Sequence, residues 1–197
     1  SVYGLDSGAL INENFPLIAK DQYGLSKIKA EELIRSWCIK NNVILTILRL
    51  PLIVGENPPG NLGKMINSIK KGFYFNINNG QARRSMILIH DVATAIHKIY
   101  LIGGTYNLTD GFHPSYLELS NSIAFKYNKK KAINISINFA NFIAIIGKFF
   151  YSQFPLNKNV ISKLTNTLTF DDSLIRNVID LQSTCVLRFF DEQSLIK

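Results

Sequence analysis

The apolar run from Val43 to Leu50 constrains the fold of this chain more than any other feature of its sequence. It contains several β-branched residues and is interrupted only by Thr46 and Arg49. Such a run is typical of a parallel strand that is covered on both faces. Pro51 ends the strand. We therefore expect an α/β fold with this strand in its central sheet.

Helical and strand patterns alternate along the chain. A helical pattern from Lys20 to Asn41 precedes the apolar run. Further helices are expected at 61–71, capped by Asn61, at 92–101, capped by Asp91, and at 115–127, 139–151 and 171–179. Further strands are expected at 85–89, 105–108 and 132–137, and residues 1–4 are typical of a strand end. This alternation indicates parallel pairing.

The net charge of +8 has three interpretations: nucleic-acid binding, attraction of an anion such as a nucleotide diphosphate, or simply a composition rich in lysine and asparagine. Lys129–Lys131 is the only lysine run, and no nucleic-acid motif surrounds it, so nucleic-acid binding is not expected. Cys38 and Cys185 match no metal spacing, so no metal site is expected and a reducing compartment is indicated.

The most apolar segment lies at 139–150, where it is broken by Asn141, Gly147 and Lys148. It is too short for a bilayer span, which needs about 20 apolar residues. With no signal peptide at its start, the chain is expected to be a cytoplasmic soluble protein without a membrane span. Peripheral membrane contact through this segment is left open.

Tyr23 and Lys27 form a Y-x-x-x-K element inside the first predicted helix. Residues four apart lie on one helix face, so the lysine ammonium can approach the tyrosine phenol. A free phenol has a pKa of about 10, and a nearby cation lowers it. A phenol of this kind can exchange a proton with a sugar hydroxyl. In isolation the element more often marks a surface helix with an aromatic residue near a lysine.

The surroundings of this element resemble the extended short-chain dehydrogenase/reductases of the nucleotide-sugar epimerase type. Val2-Tyr3-Gly4 comes first, Glu31 follows Tyr23 and Lys27 on the helix, and the apolar run ends in Leu48-Arg49. The resemblance implies that Tyr23 is the general acid/base. It also implies that Lys27 lowers the pKa of Tyr23 and holds the ribose of NAD or NADP.

The resemblance extends to the residues that would hold ligands. Leu50–Gly55 looks like the family's segment beside the nicotinamide, which implies that Pro51 lies next to the cofactor. Asn61, Leu62 and Arg84 resemble the residues that hold the diphosphate of the nucleotide sugar, and an arginine fork suits phosphate oxygens. Asp91, seven residues after Arg84, would cap the following helix.

Other positions narrow the expected reaction. Ser1 stands where the 4,6-dehydratases have a glutamate, so the resemblance favours 4-epimerases and 4-keto-reductases. Leu52 replaces an asparagine that contacts substrate in galactose epimerases, so that contact is not expected. The segments 154–157 and 164–171 look like those of bacterial polysaccharide epimerases and reductases.

No G-x-G-x-x-G or G-x-x-G-x-x-G loop occurs, and only two or three strands of the first half suit a central sheet. We therefore expect the C-terminal part of a Rossmann-like parallel sheet plus a small α/β substrate-binding domain, with the N-terminal dinucleotide-binding half absent and little activity alone. Residues 1–55 would belong to the Rossmann-like part, to which the chain returns around 84–102. Residues 56–197 would form mainly the nucleotide-sugar-binding part.

Three functions remain open from the sequence. The first is an NAD(P)-dependent epimerase or 4-keto-reductase of a nucleotide sugar, UDP-linked, serving surface polysaccharide synthesis. The others are a non-catalytic fragment that binds a nucleotide sugar and a short-chain reductase of a non-nucleotide ketone. By analogy with the family, a homodimer through the helix that carries Tyr23 is possible.

Overall fold

The structure is a computed structural model that describes residues 1–150 and 158–192. Its strands are β1 (Gly8–Ile11), β2 (Thr46–Arg49), β3 (Leu52–Val54), β4 (Phe75–Ile77), β5 (Met86–Leu88), β6 (Gly104–Asn107), β7 (Ile133–Ile135) and β8 (Leu168–Phe170). Its α-helices are α1 (Gln22–Lys40), α2 (Gly60–Lys71), α3 (Ile89–Ile99), α4 (Tyr116–Lys126), α5 (Ile137–Phe150), α6 (Lys158–Thr165), α7 (Ser173–Val178) and α8 (Val186–Glu192).

The described strands pair in twos, and every pair is parallel. The pairs are β2 with β6, β3 with β5, β1 with β8 and β4 with β7. Parallel partners need a long crossover, and helices lie between the two strands of each pair in the sequence. The predicted α/β fold with parallel pairing is therefore confirmed.

The hydrophobic core consists of clusters on these strand pairs. One cluster joins β3 and β5 to helices α2, α4 and α8; its buried members include Val54, Leu62, Ile66, Met86, Leu119, Ile123 and Phe190. A second joins β5 and β6 to α3 and α7; its members include Ile87, Ala95, Ile99, Leu108 and Ile175. Smaller clusters lie beneath α5 and around Val2, Tyr3 and Ile11. Helices thus cover the strand pairs as the alternating sequence pattern requires.

The central strand is less covered than the sequence predicted. Only Thr46–Arg49 of the apolar run forms a strand, and all four of its residues are half-buried. Val43 and Ile44 are exposed. The prediction of cover on both faces was wrong, because the segment from Leu45 to Pro51 lines an open cleft. Residues 1–4, expected to end a strand, form a turn in which the Gly4 N–H donates to the Ser1 carbonyl.

Two predicted helix caps were wrong. Asn61 is the second residue of α2, and the position before that helix is held by Pro59. Asp91 lies in the first turn of α3, which begins after Leu88, and its buried carboxylate accepts the Thr184 N–H at 2.8 Å. Asp91 therefore anchors the C-terminal segment instead of capping its own helix. Residue 151 and the segment 154–157 lie outside the described residues.

The apolar segment after residue 136 is helical, as the sequence predicted, and forms α5. Within residues 1–150 and 158–192, none of the helices is both long and apolar enough to cross a membrane.

Candidate functional site

The Y-x-x-x-K element lies in the first two turns of α1. Asp21 caps the helix by accepting the Gly24 N–H at 2.9 Å, and this hydrogen bond lowers the pKa of the Asp21 carboxyl. The Lys27 ammonium lies 5.4 Å from the centre of the Tyr23 ring. Tyr23 is 64% exposed, so its phenol is accessible from solvent. The helix thus presents a phenol and an ammonium side by side, as the four-residue spacing predicted.

Gly24 allows the start of α1 to pack closely on the preceding loop. A Cβ atom at position 24 would lie 2.4 Å from the Ala19 Cβ and 3.0 Å from the Ser1 carbonyl oxygen. Neither atom is the end of a flexible side chain, so the loop or the helix would have to move. The glycine therefore fixes the position of the neighbouring Tyr23.

We expect Gly24→Ala to lower the free energy of unfolding by about 1–3 kcal/mol, because overpacking of this size strains the contact. An ordinary helix-interior glycine would respond oppositely, with a gain of up to about 1 kcal/mol from alanine's helix propensity. Urea unfolding measures the difference. The double variant Ala19→Gly/Gly24→Ala should recover part of the loss. A more stable Gly24→Ala variant would contradict the close packing.

A cleft of about 470 Å³ opens beside Tyr23 and Lys27. One side is formed by α1, and the floor is formed by the segment from Leu45 to Pro51, which includes β2. Pro51, Leu50 and Ile53 give one part of the cleft an apolar surface. The structure therefore brings together the predicted residues Tyr23, Lys27 and Pro51.

A largely buried ion pair lies in this cleft. Arg49 of β2 donates from Nη2 and Nε to the two carboxylate oxygens of Glu31, at 2.7 and 3.1 Å. The two side chains are only 10% and 13% exposed. This bidentate geometry is the strong form of an arginine–carboxylate contact, and it holds α1 against β2.

Tyr3 extends this network to the neighbouring strand. Its hydroxyl accepts from Arg49 Nη1 at 3.1 Å and donates to the Asn107 Oδ1 at 2.7 Å. Burial raises the pKa of the Tyr3 phenol, although the hydrogen bond from Arg49 opposes this. Tyr3 therefore keeps its proton and serves as a donor to Asn107. The Asn107 amide in turn donates to the carbonyls of Ile11 and Asp171.

Sequence reasoning missed part of this site. Asn107 and Phe170 line the cleft although both are far from Tyr23 in the sequence. Asn107 lies within the predicted strand at 105–108 and ends the observed strand β6, and its parallel pairing with Arg49 is the signal that could have placed it here. Phe170 belongs to β8, a three-residue strand for which the sequence gives no comparable signal.

The residues predicted to hold a diphosphate do not belong to this cleft. As far as the chain is described, Asn61, Leu62 and Arg84 are not among the residues that line it. Asn61 is exposed at the start of α2. Leu62 as a whole residue is only 2% exposed and packs in the core.

Arg84 lies next to the end of α6. Its Nη2 donates to the Lys163 carbonyl in the last turn of that helix. Its Nε is buried and has no hydrogen-bond partner within residues 1–150 and 158–192. Arg83 points elsewhere, donating to the His113 carbonyl and lying 3.7 Å from Glu118. The two neighbouring arginines therefore have different surroundings.

His113 lies near these arginines, in surroundings that favour its neutral imidazole form. Burial lowers its pKa, and its Nδ1 lies 3.0 Å from the Ser85 hydroxyl. The same hydroxyl accepts the Phe170 N–H at 2.8 Å. His113 is thus tied to the segment that leads into β5 and contains Arg84.

Comparison with known proteins supports the resemblance seen in the sequence. A profile of the NAD dependent epimerase/dehydratase family matches residues 1–108. A curated relative, the N-acetyl-alpha-D-glucosaminyl-diphospho-ditrans,octacis-undecaprenol 4-epimerase of Escherichia coli O157:H7, is 31% identical over 111 residues. The match covers 55% of this chain and 33% of the relative, so the chain spans about a third of that protein in the match.

Solved structures share the fold over nearly the whole chain. The UDP-N-acetylglucosamine 4-epimerase of Bacillus cereus superposes with a TM-score of 0.70 at 18% identity, covering 100% of this chain and 61% of that one. The dTDP-glucose 4,6-dehydratase of Bacillus anthracis, solved with NAD, gives 0.68 at 14% identity, covering 98% and 57%. With more than half of its residues matched by the family profile, the chain belongs to the NAD dependent epimerase/dehydratase family.

Proposed function

We propose that this chain carries the proton-transfer site and part of the sugar-binding site of an NAD(P)-dependent 4-epimerase or 4-keto-reductase of a nucleotide sugar. The observation that carries the proposal is the cleft in which the exposed Tyr23 phenol, the Lys27 ammonium and Pro51 lie together. Tyr23 would move a proton to or from the sugar hydroxyl. Lys27 would favour the charged phenol and bind the cofactor ribose.

The cleft suits the nicotinamide end of a dinucleotide. Leu50, Pro51 and Ile53 offer an apolar surface to a flat ring, while Lys27 offers a donor to ribose hydroxyls. NAD or NADP, when bound, supplies the hydride acceptor and donor of the reaction. Among the described residues that line the cleft, no charged contact to the second ribose distinguishes the two cofactors, so both remain in the proposal.

The proposed substrate is a sugar linked to a diphosphate. Asn61, Leu62 and Arg84 would hold the diphosphate. The Nε of Arg84, which has no hydrogen-bond partner among the described residues, is a donor that a phosphate oxygen can satisfy. A UDP-linked sugar is the proposed form, for surface polysaccharide synthesis. The E. coli relative is named for a sugar diphosphate carried on undecaprenol, which supports the diphosphate and leaves the carrier open.

The proposal includes the two parts of the chain that the sequence predicted, a cofactor-binding part and a sugar-binding part. Residues 1–55, with a return around 84–102, would form the cofactor side, and residues 56–197 mainly the sugar side. The homodimer would form through α1, where Leu33 and Trp37 lie one turn apart and are both exposed. The proposed location is the cytoplasm.

We expect Arg84→Ala to weaken binding of UDP-N-acetylglucosamine by about 10- to 100-fold, because a charge-assisted hydrogen bond contributes about 1.5–3 kcal/mol. Isothermal titration calorimetry on the complete natural protein with bound NAD measures this. Arg83→Ala is the matched control and should leave the affinity within about threefold, as expected for an exposed charge. Equal effects of the two substitutions would remove Arg84 from the substrate site. Formation of the 4-epimer or of a reduced sugar by the wild-type protein tests the reaction itself.

A further inference from the structure

Acidic residues are absent from two long stretches of this sequence. No aspartate or glutamate occurs between Glu56 and Asp91 or between Glu118 and Asp171. Basic residues are present in both stretches: Lys64, Lys70, Lys71, Arg83 and Arg84 in the first, and Lys126, Lys129, Lys130, Lys131, Lys148, Lys158 and Lys163 in the second. The positive charge of the chain is therefore concentrated in these stretches.

The fold brings the two stretches together. Strand β4 comes from the first and β7 from the second, and they pair in parallel with Phe75 opposite Ile133. Lys70 and Lys71 precede β4, and the run Lys129–Lys131 precedes β7. Because the strands are parallel, both groups of lysines lie at the same end of the pair. The Lys70 ammonium also lies 4.2 Å from the ring centre of Tyr127, two residues before the Lys129–Lys131 run.

Large apolar side chains are exposed at the same end. Phe73 is 73% exposed, Phe75 43%, Phe125 64% and Ile133 66%. Phe75 and Ile133 lie two residues before Ile77 and Ile135, so all four share one face of the strand pair. That face is the one on which α5 packs.

Helix α5 adds apolar surface on its outer side. It packs inward through Ala140 and Ala144, one turn apart, on Ile77. Phe139, Phe142 and Ile145 are exposed on the opposite side. A helix that is apolar on both sides is normally buried on both. Large apolar patches left exposed on a protein mark interaction sites.

We propose that this basic–apolar surface, formed by Lys70–Phe75, Lys129–Ile133 and the outer side of α5, docks on an anionic lipid bilayer. Exposed aromatic and aliphatic side chains beside lysines are the pattern of proteins that lie in the membrane interface. The apolar side chains enter the boundary between headgroups and acyl chains, and the lysines contact anionic headgroups. The complete lack of acidic residues in both stretches makes an anionic surface the complementary partner.

The docking surface is separate from the candidate active site. None of its residues lines the cleft beside Tyr23. The docking proposal therefore goes beyond the proposed reaction, and it can be wrong while the proposed reaction is right. If the docking proposal is correct, the protein acts at the surface of a bilayer, which is also where a sugar diphosphate linked to a lipid carrier is located.

Vesicle flotation with the complete natural protein tests the proposal. We expect binding to phosphatidylcholine vesicles that contain about a quarter phosphatidylglycerol, and much weaker binding to pure phosphatidylcholine. The variant Lys129→Gln/Lys130→Gln/Lys131→Gln should bind about a hundredfold more weakly, at about fivefold per lysine. The matched control Lys20→Gln/Lys29→Gln/Lys40→Gln removes three exposed lysines of α1 and its approach, and should change binding by about threefold or less.

The apolar part is tested by Phe142→Ser, which should weaken binding about tenfold because one phenylalanine no longer enters the lipid. Since the side chain is exposed, circular dichroism should show an unchanged fold. Absence of vesicle binding by the wild type, or equal loss in both lysine variants, would overturn the proposal. So would binding of the same surface to single-stranded RNA instead of vesicles. A change of oligomeric state in Phe142→Ser without loss of vesicle binding would assign the surface to a second copy.

Discussion

Tyr23→Phe is expected to lower kcat for interconversion or reduction of the nucleotide sugar by about 10²–10⁴-fold, the usual contribution of a positioned acid/base group. The substitution removes one oxygen and leaves the ring in place. Because the side chain is exposed at the start of α1, the fold should not change. The measurement is steady-state kinetics on the complete natural protein, together with its affinity for UDP-N-acetylglucosamine.

Tyr100→Phe is the matched control, because Tyr100 is an exposed tyrosine that does not line the cleft. It should leave kcat unchanged. The affinity for the nucleotide sugar should stay within about threefold in both variants. A substitution that removes an interaction made only in the transition state lowers kcat and leaves substrate binding unchanged. A fully active Tyr23→Phe variant would eliminate the proposed chemistry. A wild-type protein that binds the sugar without turnover would favour the alternative of a non-catalytic binding fragment.

Arg49→Met should lower the free energy of unfolding by about 3 kcal/mol or more. The substitution leaves the Glu31 carboxylate in a largely buried position without its bidentate partner, and breaking such a pair typically costs about 3–5 kcal/mol. It also removes the donor to the Tyr3 hydroxyl, which links the pair to Asn107. Urea unfolding at neutral pH measures the loss.

Two further variants separate this explanation from a general effect of losing an arginine. Arg83→Met breaks a pair with Glu118 whose side chains are 50% and 39% exposed, and should cost less than about 1 kcal/mol. Glu31→Gln/Arg49→Met removes both charges and should recover much of the loss, because no buried charge remains unpaired. If the double variant is as unstable as Arg49→Met, the ion pair is not the cause.

The sequence predicted the long elements of the fold well. Helix α1 was expected at 20–41 and extends over Gln22–Lys40, because its apolar spacing covers several turns and Asp21 and Asn41 mark its ends. Helix α4 was expected at 115–127, and Ser115 forms a capping box with Glu118. A long segment with helical apolar periodicity and capping residues at its ends can be predicted from its own residues alone.

Some short elements and the long-range contacts could not be predicted in this way. Strands β3, β4 and β8 have three residues each and were not predicted, whereas the equally short β5 and β7 lie in the predicted strands at 85–89 and 132–137. Their pairing depends on partners far along the chain, such as β1 with β8. Asp91 was predicted to be a cap because it directly precedes the apolar pattern at 92–101. Helix α3 instead begins at Ile89, and the Asp91 carboxylate accepts the backbone N–H of Thr184. Only the folded chain brings that donor near.

The candidate site shows the same division. The pairing of Tyr23 with Lys27 is local to one helix, so spacing was sufficient to predict it. The contact of Tyr3 with Asn107 spans 104 positions and depends on strand pairing. The roles of Asn61, Leu62 and Arg84 rested on resemblance alone and remain a proposal.

The ion pair of Glu31 and Arg49 has an electrostatic consequence for Lys27. Glu31 follows Lys27 by four residues on α1, the spacing at which an acid and a base on a helix normally neutralise each other. Here both carboxylate oxygens of Glu31 accept from Arg49 instead. The negative charge of Glu31, one turn beyond Lys27 on α1, is therefore balanced by Arg49 of β2. Because Arg49 occupies the Glu31 carboxylate, that carboxylate does not neutralise the Lys27 ammonium, which stays beside the Tyr23 ring.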